Sequence, residues 1–501
     1  MLRFPAILVL CFLFLFGPDT YAQVSDLPRG FAPKEKSFIR RYLSSRTKNA
    51  QGISVPPEFP VRAMAEWEEI EYLVIAWVQY LPTLREIVRY SREECKVVIL
   101  CSDTTGVKMF LTEGDVSLEG VILIPTPVNS VWIRDYGASS VYTHGVDSLW
   151  LVDWIYNRPR PDDDYIPSVL SRYLRKSLFS TTRPPFDLVH TGGNFMSDGM
   201  GTGFSSRLIL DENSASGQFN LSIKNEAEVN EVMRRFMGIN RYIKMDVLPY
   251  DGIHHIDMHM KLLNEETLLV GKYPTGVADG PQIEENMEYL LSSFSSGFGF
   301  PYELARIPMP PHHGDYPDSW WANYRTYTNS VFVNKTVLVP VYEEKYDTTA
   351  LRIYRQLLPG YRVVGINCNA IIRSGGALHC ITKGIGVSDP LLIQHRRLRD
   401  RFVTYNSYQV NALISHRSGI RSAQIYFTTD TTAGFTPIEM IEAIPEENVW
   451  TGFIPPHPPG TTLYYYIHAE SFSGKQINRP ITAPAGWWKF RVLSRPDPSL
   501  R

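Results

Sequence analysis

The chain has 501 residues, of which 44% are hydrophobic and 20% are charged, as is typical of globular proteins with a large core. This length predicts two or three domains. The formal net charge of −2 leaves no basic excess, so nucleic acid is not expected as a partner. Stable membrane insertion is not expected either, because no segment after the N-terminus reads as a membrane-spanning helix.

The N-terminus carries a targeting segment. Arg3 is followed by an apolar run from Phe4 to Phe16 and then by small residues at Thr20 and Ala22. This order is typical of a cleaved secretory signal peptide. We therefore assign residues 1–22 to a signal peptide and expect an exported protein, periplasmic or secreted. Residues 23–55 are polar and basic, which predicts a linker or a pro-segment.

Four cysteines remain after removal of the signal peptide, at positions 95, 101, 368 and 380. They are too sparse for a disulfide scaffold in a large exported protein. A disulfide among them stays open, and the sequence does not give its pairing. At least one of them is a candidate for a reactive thiol.

Residues 56–392 alternate between strand-like and helix-like patterns. "EYLVIAWV" predicts a strand, "TLREIVRYSREE" a helix and "KVVILCSD" a second strand. In "NEAEVNEVMRRFMG", Asn225 and Glu228 are spaced as a capping box and Gly238 marks the helix end. The rhythm recurs at roughly 60 residues and predicts an α/β architecture with internal pseudo-repeats.

Residues 393–495 have a different character. Alternating strands such as "YQVNALISH", "AQIYFTTD" and "TTLYYYIHAES" follow one another without an intervening helix pattern. About a hundred residues of this kind predict a β-sandwich of immunoglobulin type. It has no cysteine pair and no recognisable chemistry, so we expect a structural role or contact with a partner.

The segment "DGIHHIDMH" at residues 251–259 concentrates titratable side chains. On a strand, His255, Asp257 and His259 would face one way and His254 the other. Histidine and aspartate are common zinc ligands, although this spacing matches neither H-E-x-x-H nor the cysteine-rich zinc patterns. A metal site and metal-free acid–base chemistry both stay open at this point.

Two further residues, Asp135 and Cys380, lie at positions typical of catalytic residues. Asp135 in "SVWIRDYGASS" ends an apolar run where the chain turns, although a surface pair with Arg134 explains it equally. Cys380 in "RSGGALHCITKGI" is a candidate nucleophile with His255 as its base, although most free cysteines are buried and inert.

Two segments concern binding. Arg158 and Arg160 in "IYNRPRPDDDY" either pair with the following aspartates in a solvated loop or grip a substrate carboxylate. The glycines of "HTGGNFMSDGMGTGFSS" lack the spacings of nucleotide-binding loops. They are expected to let two backbones approach or to build a turn.

Taken in order, "W-x-R-D-Y", "N-R-P-R-P", "T-G-G-N", "H-x-D", "Y-T-N-S" and "A-L-H-C" form a series. The series spans about residues 60–385. It resembles the bacterial peptidylarginine deiminases of the Porphyromonas type and, more distantly, the agmatine deiminases of the guanidine-modifying superfamily. The resemblance implies a pentein fold, a five-fold pseudo-symmetric α/β propeller, followed by an immunoglobulin-like β-sandwich. A secretory signal is consistent with it.

The resemblance also implies roles for single residues. The implied catalytic set is Cys380 as nucleophile, His255 as general acid and base, Asp135 and Asp257 as the carboxylates that clamp the guanidinium, and Asn329 as a further active-site residue. The implied substrate-binding set is Arg158 and Arg160 for the carboxylate of a substrate arginine, with Trp132 and Asp153 in the pocket. Gly252 departs from the pattern, because peptide-acting relatives have a tyrosine three positions before the catalytic histidine.

The expected reaction is hydrolytic deimination of a C-terminal peptidyl arginine to citrulline and ammonia through a covalent cysteine amidino-thioether, without metal or cofactor. Expected partners are arginine-containing peptides or proteins, or small guanidine compounds. Agmatine or free arginine is an alternative substrate. A metallohydrolase built on His254, His255, Asp257 and His259, and a catalytically inactive binding protein, are alternatives from other classes. The oligomeric state is not predicted.

Overall fold

The computed structural model describes residues 27–49, 51–277, 279–319, 324–403 and 406–494. The predicted signal peptide, residues 1–22, lies outside the described residues. Among the helices that are described, none is both long and apolar enough to cross a membrane.

The helices of the described chain are α1 (Ile39–Asn49), α2 (Leu81–Ser91), α3 (Thr104–Glu113), α4 (Ile133–Tyr136), α5 (Pro161–Asp164), α6 (Ile166–Leu174), α7 (Leu208–Asn213), α8 (Glu226–Met237), α9 (Gly280–Ser293) and α10 (Glu344–Leu357). The strands up to residue 386 are β1 (Val61–Ala63), β2 (Ile70–Ala76), β3 (Lys96–Cys101), β4 (Val121–Pro125), β5 (Ser139–Thr143), β6 (Leu149–Trp154), β7 (Leu178–Thr181), β8 (Met196–Ser197), β9 (Thr202–Ser206), β10 (Arg241–Met245), β11 (Met260–Leu262), β12 (Thr267–Lys272), β13 (Glu303–Pro308), β14 (Val331–Val333), β15 (Thr336–Val341), β16 (Arg362–Asn367) and β17 (Lys383–Gly386). The later strands are β18 (Leu392–Gln394), β19 (Arg401–Phe402), β20 (Tyr408–Ser415), β21 (Ile420–Thr428), β22 (Thr436–Glu439), β23 (Ile441–Ile444), β24 (Val449–Ile454), β25 (Thr462–Ser471), β26 (Gln476–Arg479) and β27 (Trp488–Leu493).

Within the described part of residues 61–386, the strands form five small sheets built on one repeated unit. In each unit a short strand pairs antiparallel with a central strand, which pairs in parallel with a third strand, as in β8–β9–β10, β11–β12–β13 and β14–β15–β16. A helix joins each parallel pair, because parallel neighbours need a crossover connection. The predicted mixed α/β architecture is confirmed, and its rhythm corresponds to this unit.

The first and last strands of this region meet in one sheet. Strand β17 pairs antiparallel with β2, and β2 pairs in parallel with β3. The segment before β17 therefore lies beside elements that are three hundred residues earlier in the chain. This pairing is what carries the predicted nucleophile, Cys380, into contact with the early motifs.

Helix α8 shows how local sequence sets an element. The Asn225 side chain accepts a hydrogen bond from the Glu228 backbone N–H, and the Glu228 carboxylate accepts one from the Asn225 N–H. Gly238 ends the helix at a φ of 68°, a conformation that glycine adopts without steric cost. The predicted capping box and helix end are both confirmed.

The C-terminal region consists of two sheets, β18–β20–β24–β23 and β19–β27–β25–β21–β22 with β26 beside β25. In β20 the side chains of Tyr408 and Val410 are buried and that of Gln409 between them is exposed, as a strand with one face on a core requires. Apolar side chains of both sheets share one core, including Val410, Ile425 and Phe490. The predicted β-rich region is therefore present as two packed sheets.

Residues 27–49 are not a free linker. Tyr42 packs into an apolar cluster with Phe219. The guanidinium of Arg46 donates to the Trp154 carbonyl at 2.9 Å and to the Asp164 carboxylate at 2.7 Å. The linker alternative is wrong for these residues, whereas a pro-segment stays a prediction.

The expectation of a strand at the histidine-rich segment is wrong. Ile256–Met258 form a 3-10 helix, and His254 has a φ of 61°. The Ser206 hydroxyl donates to the His254 carbonyl at 2.6 Å and pins this turn. The alternation rule fails here because the segment is a loop between β10 and β11, shaped by contacts with distant residues.

Candidate active site

Short turns from different units converge on one buried cluster. Asp135 lies in the single turn of α4, Asp257 in the 3-10 helix Ile256–Met258, and Cys380 in the 3-10 helix His379–Ile381. The 3-10 helix Gly192–Asn194 packs among them. Because each turn begins or ends near a strand of its own unit, a rigid scaffold positions every one of these side chains.

A guanidinium occupies the centre of this cluster, and it belongs to Arg29 of the same chain. Arg29 Nε donates to Asp135 Oδ2 at 3.0 Å and Nη2 donates to Asp135 Oδ1 at 3.1 Å. Nη2 also lies 3.2 Å from each oxygen of Asp257. Two buried carboxylates therefore share one planar cation, the pattern that suits guanidinium geometry.

His255 contacts the same guanidinium nitrogen. Its Nδ1 lies 2.5 Å from Arg29 Nη2, and its Nε2 lies 3.0 Å from Thr191 Oγ1. An arginine N–H can only donate, so Nδ1 must accept and Nε2 carries the hydrogen. Burial lowers the pKa of His255, and the charge of Arg29 lowers it further. The imidazole is consequently neutral in this arrangement.

The thiol of Cys380 is fully buried beside the carboxylates. Asn329 Nδ2 donates to Sγ at 3.3 Å, and Sγ lies 3.6 Å from Asp257 Oδ2, within reach as a donor. Burial raises the pKa of Cys380 well above its usual value, whereas the Arg29 charge acts to lower it. A cation at the Arg29 position therefore favours the thiolate, the reactive form of cysteine.

Both carboxylates stay ionised despite their burial. Burial alone would raise the pKa of Asp257, yet Arg29 and a hydrogen bond from His379 lower it to about 2. The pKa of Asp135 is lowered in the same way by Arg29 and His255, against the effect of burial. Arg29 in turn keeps a raised pKa, because the two aspartates outweigh its own burial.

His379 links the cluster to a second group of charges. Its Nδ1 lies 2.8 Å from Asp257 Oδ2, and its Nε2 lies 2.5 Å from Glu66 Oε1. Glu66 also accepts from Arg134 at 2.8 Å and from Lys261 at 2.9 Å. This network holds Asp257 in a fixed orientation toward the guanidinium.

Two glycines make room for the cluster. A Cβ on Gly193 would overlap Arg29 Nη2 and lie 2.7 Å from His255 Nδ1. A Cβ on Gly376 would lie 2.8 Å from Cys380 Sγ. The glycines of the segment "HTGGNFMSDGMGTGFSS" are expected to let two backbones approach. This holds for Gly192, whose Cβ would overlap the Arg134 carbonyl, whereas Gly193 makes space for the Arg29 guanidinium.

Arg158 and Arg160 hold the backbone on either side of Arg29. Arg158 Nε donates to the Arg29 carbonyl at 3.0 Å. Arg160 Nη2 donates to the carbonyls of Pro28 and Gly30 at 2.8 and 3.0 Å. Both arginines are buried, so the alternative of a solvated, self-paired loop is wrong.

Glu35 completes this arrangement. Arg160 Nε lies 2.7 Å from Glu35 Oε1, and Nη2 lies 3.1 Å from Oε2, so the two side chains form a bidentate pair. Of the predicted arginine pair, Arg160 thus binds a carboxylate, which comes from a side chain of the same chain, whereas Arg158 contacts the Arg29 carbonyl.

Comparison with known proteins decides the family. Residues 59–385 match the family model of the Porphyromonas-type peptidyl-arginine deiminases. The chain belongs to this family. The resemblance drawn from six short motifs is thereby confirmed, and the chain is a cysteine-dependent deiminase, a hydrolase acting on the C–N bonds of amidines.

Three similar proteins place the deiminase among its relatives. A Legionella pneumophila (strain Paris) protein assigned as an agmatine deiminase is 23% identical over 348 residues, covering 66% of this chain and 96% of the relative. The structure of the C. jejuni agmatine deiminase has a TM-score of 0.54 at 22% identity and covers 65% of this chain and 96% of that chain. A Porphyromonas gingivalis structure assigned as an arginine deiminase has a TM-score of 0.57 at 21% identity, covering 66% of this chain and 99% of that chain. At these identities the two structures show the common fold.

The two predicted pocket residues of the deiminase lie in different places. Trp132 is buried, and its indole N–H donates to the Leu27 carbonyl at 2.9 Å, two residues before Arg29. Asp153 instead hydrogen-bonds Ser180 near Arg46, and its pKa is raised by burial. The structure therefore brings Trp132 to the guanidinium cluster but places Asp153 near Arg46 of α1.

The remaining histidines of the segment do not join the cluster. His259 is buried, and neither ring nitrogen has a hydrogen-bond partner among the described residues. Burial lowers its pKa to about 4. Over the same described residues, no group of three or more histidine, cysteine or acidic side chains is arranged to hold a metal ion. The metallohydrolase alternative gains no support from this geometry.

Sequence reasoning missed several members of this site. His379 stands directly before Cys380 in "ALHC", and Thr191 begins "TGGN", so both lie inside the family motifs. Glu66 and Arg29 lay in segments with no distinguishing pattern. Only their packing against the motifs shows that they belong to the site.

Proposed function

We propose that the deiminase hydrolyses the guanidinium group of peptidyl arginine to citrulline and ammonia. One observation carries the proposal: an arginine within a polypeptide has its guanidinium between Asp135 and Asp257, beside Cys380 and His255. The protein thus holds a peptidyl arginine against both carboxylates and the imidazole, next to the buried thiol.

The clamp addresses the low reactivity of a guanidinium. The group is planar, cationic and stable toward water, so it must be oriented before it can be attacked. Asp135 and Asp257 fix its plane and compensate its charge in a site from which water is excluded. A bound cation also favours the thiolate of Cys380.

The first half of the reaction forms a covalent intermediate. The thiol proton passes to His255 Nδ1, and Sγ bonds to the central carbon Cζ of the guanidinium. The Cζ–Nη2 bond then breaks, and Nη2 takes the proton from His255 to leave as ammonia. The short distance between Nδ1 and Nη2 supports this role for His255.

The second half releases the product. Water loses a proton to His255 Nδ1, and its oxygen bonds to Cζ of the amidino-thioether. The Cζ–Sγ bond breaks and sulfur recovers a proton from His255. The second proton of the water passes to solvent, where ammonia takes it up as ammonium, and neutral citrulline remains. Asn329, which donates to Sγ, holds the thiol in position through both halves.

The arginine pair supports a peptide substrate with a C-terminal arginine. The oxygen that Arg158 contacts is the main-chain carbonyl of Arg29. In a C-terminal arginine this oxygen belongs to the α-carboxylate, so the same contact becomes a charge-assisted hydrogen bond. Agmatine has no oxygen at this position. Free arginine has the carboxylate but not the preceding peptide that Trp132 and Arg160 contact.

The test compares four substrates: a peptide ending in arginine, its amidated twin, free arginine and agmatine. Citrulline or carbamoyl product is measured with the unmodified enzyme, Arg158→Ala and Cys380→Ser. We expect Cys380→Ser to abolish turnover of all four substrates. Arg158→Ala should reduce turnover of the two substrates with a free α-carboxylate, the peptide ending in arginine and free arginine, more than that of the amidated peptide and agmatine. Arg172→Ala, exposed on α6, is the matched control and should act as wild type.

The outcomes separate the proposals. Equal loss on all four substrates in Arg158→Ala would contradict the carboxylate contact. Turnover confined to agmatine would retain the chemistry and replace the substrate. Turnover in Cys380→Ser would contradict the nucleophile.

We also propose that the five sheet units surround a pseudo-five-fold axis as a pentein propeller and that the two C-terminal sheets form an immunoglobulin-like sandwich. The pairing of β17 with β2 supports the first proposal, because it joins the two ends of the region. An experimental structure checks both. We further propose export with cleavage after Ala22, which N-terminal sequencing of the secreted or periplasmic protein checks.

A further inference from the structure

We propose that Arg29 is itself a modification site: Cys380 deiminates Arg29 of the same chain in a single intramolecular turnover. The proposal rests on the proposed function, since it requires the same chemistry at the same site. It goes beyond that function by assigning the first substrate and the position of the product within this chain.

Residues 27–30 are held as a bound peptide. The Arg29 backbone N–H donates to the Ser374 carbonyl at 2.9 Å. The carbonyls of residues 27 to 30 accept from Trp132, Arg160 and Arg158 at 2.8 to 3.0 Å. The protein thus binds the main chain of this segment as well as the arginine side chain.

The contacts of the Arg29 side chain are those of a reactant. Nη2 is the nitrogen that both aspartates hold, and it is also the nitrogen nearest His255 Nδ1. The nitrogen that must leave therefore already faces the group that must protonate it. A purely structural ion pair would not need a neutral histidine at that nitrogen.

The segment is tethered on its C-terminal side. Glu35 pairs with Arg160, and Arg46 of α1 pairs with Asp164 in a buried contact. A tether makes binding of Arg29 an intramolecular event with a high effective concentration, so Arg29 occupies the site before an external arginine does.

The reaction at Arg29 is balanced without any additional reactant except water. Sγ of Cys380 bonds to Arg29 Cζ, the Cζ–Nη2 bond breaks, and ammonia leaves with the proton carried by His255. Water then adds its oxygen to Cζ and the Cζ–Sγ bond breaks. One water proton passes through His255 to restore the thiol, and the other passes to solvent, where ammonia takes it up as ammonium. Departure of Nη2 opens the space beside His255 Nδ1 in which that water can react.

The product changes the electrostatics of the segment. Citrulline is neutral, so Asp135 and Asp257 lose the cation that compensates their buried charges. Leaving such charges without a partner is unfavourable. Deimination is therefore expected to weaken the hold on residues 27–30 and to open the site to external peptides.

The test is peptide mass mapping of the full exported chain, reading residue 29 as arginine or citrulline. We expect citrulline at residue 29 of the wild-type protein and arginine there in Cys380→Ser. Arg40 and Arg41, exposed on α1 of the same segment, are matched internal controls and should stay arginine. In a mixture of isotope-labelled wild type and unlabelled Cys380→Ser, Arg29 of the inactive chain should stay arginine.

A parallel assay of the same wild-type sample on the external arginine peptide separates this inference from the proposed function. Arginine at residue 29 in protein that converts the external peptide would overturn the inference alone. Conversion of Arg29 in the inactive chain of the mixture would overturn its intramolecular character. No conversion of either the peptide or Arg29 would overturn the proposed function together with the inference.

Discussion

The guanidinium site and the C-terminal sheets are both buried, but they are stabilised in opposite ways. Around Arg29, the interior contains two carboxylates, a guanidinium, an imidazole and a thiol. Between the two C-terminal sheets, the core consists almost entirely of aliphatic and aromatic side chains. In the guanidinium site, each buried charge is stabilised by an oppositely charged or hydrogen-bonding partner. Between the C-terminal sheets, stability comes from the removal of apolar surface from water.

This difference separates chemistry from stability. A buried ion pair contributes little net stability, because desolvation cancels much of its attraction, but it orients charged groups well. An apolar core contributes stability without presenting a reactive group. Substitutions in the site should therefore affect turnover, whereas substitutions between the C-terminal sheets should affect folding.

The largest expected effect is on turnover in His255→Ala. If His255 moves the proton as proposed, its loss should reduce kcat for the external arginine peptide by about 10²- to 10⁴-fold. Steady-state kinetics measure this. His254→Asn is the control, because asparagine tolerates the positive φ at that position. Equal loss in both variants would instead favour the metallohydrolase alternative, in which His254 is a ligand.

Gly193→Ala should abolish binding of the guanidinium while the chain stays folded. The added Cβ occupies the place of Arg29 Nη2, and Gly193 does not have a positive φ, so the backbone itself tolerates alanine. Peptide turnover and circular dichroism check this. Gly280→Ala, whose Cβ would meet Tyr273 at an ordinary 3.5 Å, should act as wild type. Retained turnover in Gly193→Ala would show that the guanidinium binds elsewhere.

Ile425→Ala should destabilise the protein and leave its turnover unchanged, the reverse of the result expected for Gly193→Ala. Ile425 is fully buried between the C-terminal sheets. Its truncation should lower the free energy of unfolding of that region by about 2–5 kcal/mol. Denaturant unfolding measures this, and kcat per folded molecule should not change. Ile441→Ala is the exposed control on β23, and a similar loss there would contradict the explanation by burial.

Asp163, close to the arginine pair, should make the free energy of unfolding depend on pH. Burial raises its pKa to about 7, although Ser130 and Asn129 donate to it. Between its unfolded value and about pH 7, the folded protein keeps a proton that the unfolded chain has lost. Stability contributed by Asp163 should therefore fall as pH rises through this window, by at most about 1.4 kcal/mol per pH unit.

The measurement for Asp163 is the free energy of unfolding at several pH values between 4 and 8. Asp163→Asn keeps the acceptor for Asn129 and cannot titrate, so its stability should fall less steeply over that range. Identical slopes in the two proteins would remove Asp163 as the cause.

The smallest effect on stability is expected for an ion pair between the C-terminal sheets and the region of residues 61–386. Lys475 Nζ lies 2.6 Å from Glu69 Oε2, and both side chains are about a quarter exposed. Lys475→Ala should lower stability by less than about 1 kcal/mol, and by less still in high salt. Thermal unfolding with and without salt measures this. A larger, salt-independent loss would show that the contact is part of the folding core.

The sequence predicted elements whose signals are local. The capping box and terminal glycine of α8, the alternation in β20 and the helix–strand rhythm of residues 56–392 depend on neighbours along the chain. They are present as predicted. The alternation considered for the histidine-rich segment requires a strand, but the segment is a 3-10 turn, because Ser206 and distant packing shape it.

For the site, the sequence by itself determined the family motifs, and the resemblance that they carry predicts Cys380, His255, Asp135 and Asp257, because each stands in a short pattern; the structure brings these four side chains together. Only the tertiary structure decided that the Arg29 guanidinium lies between Asp135 and Asp257 and that Glu35 pairs with Arg160. It also placed Asp153 away from the guanidinium cluster. The physical reason is that a buried charge is stabilised by whichever partner the fold brings within hydrogen-bond distance, and that partner can lie anywhere in the chain.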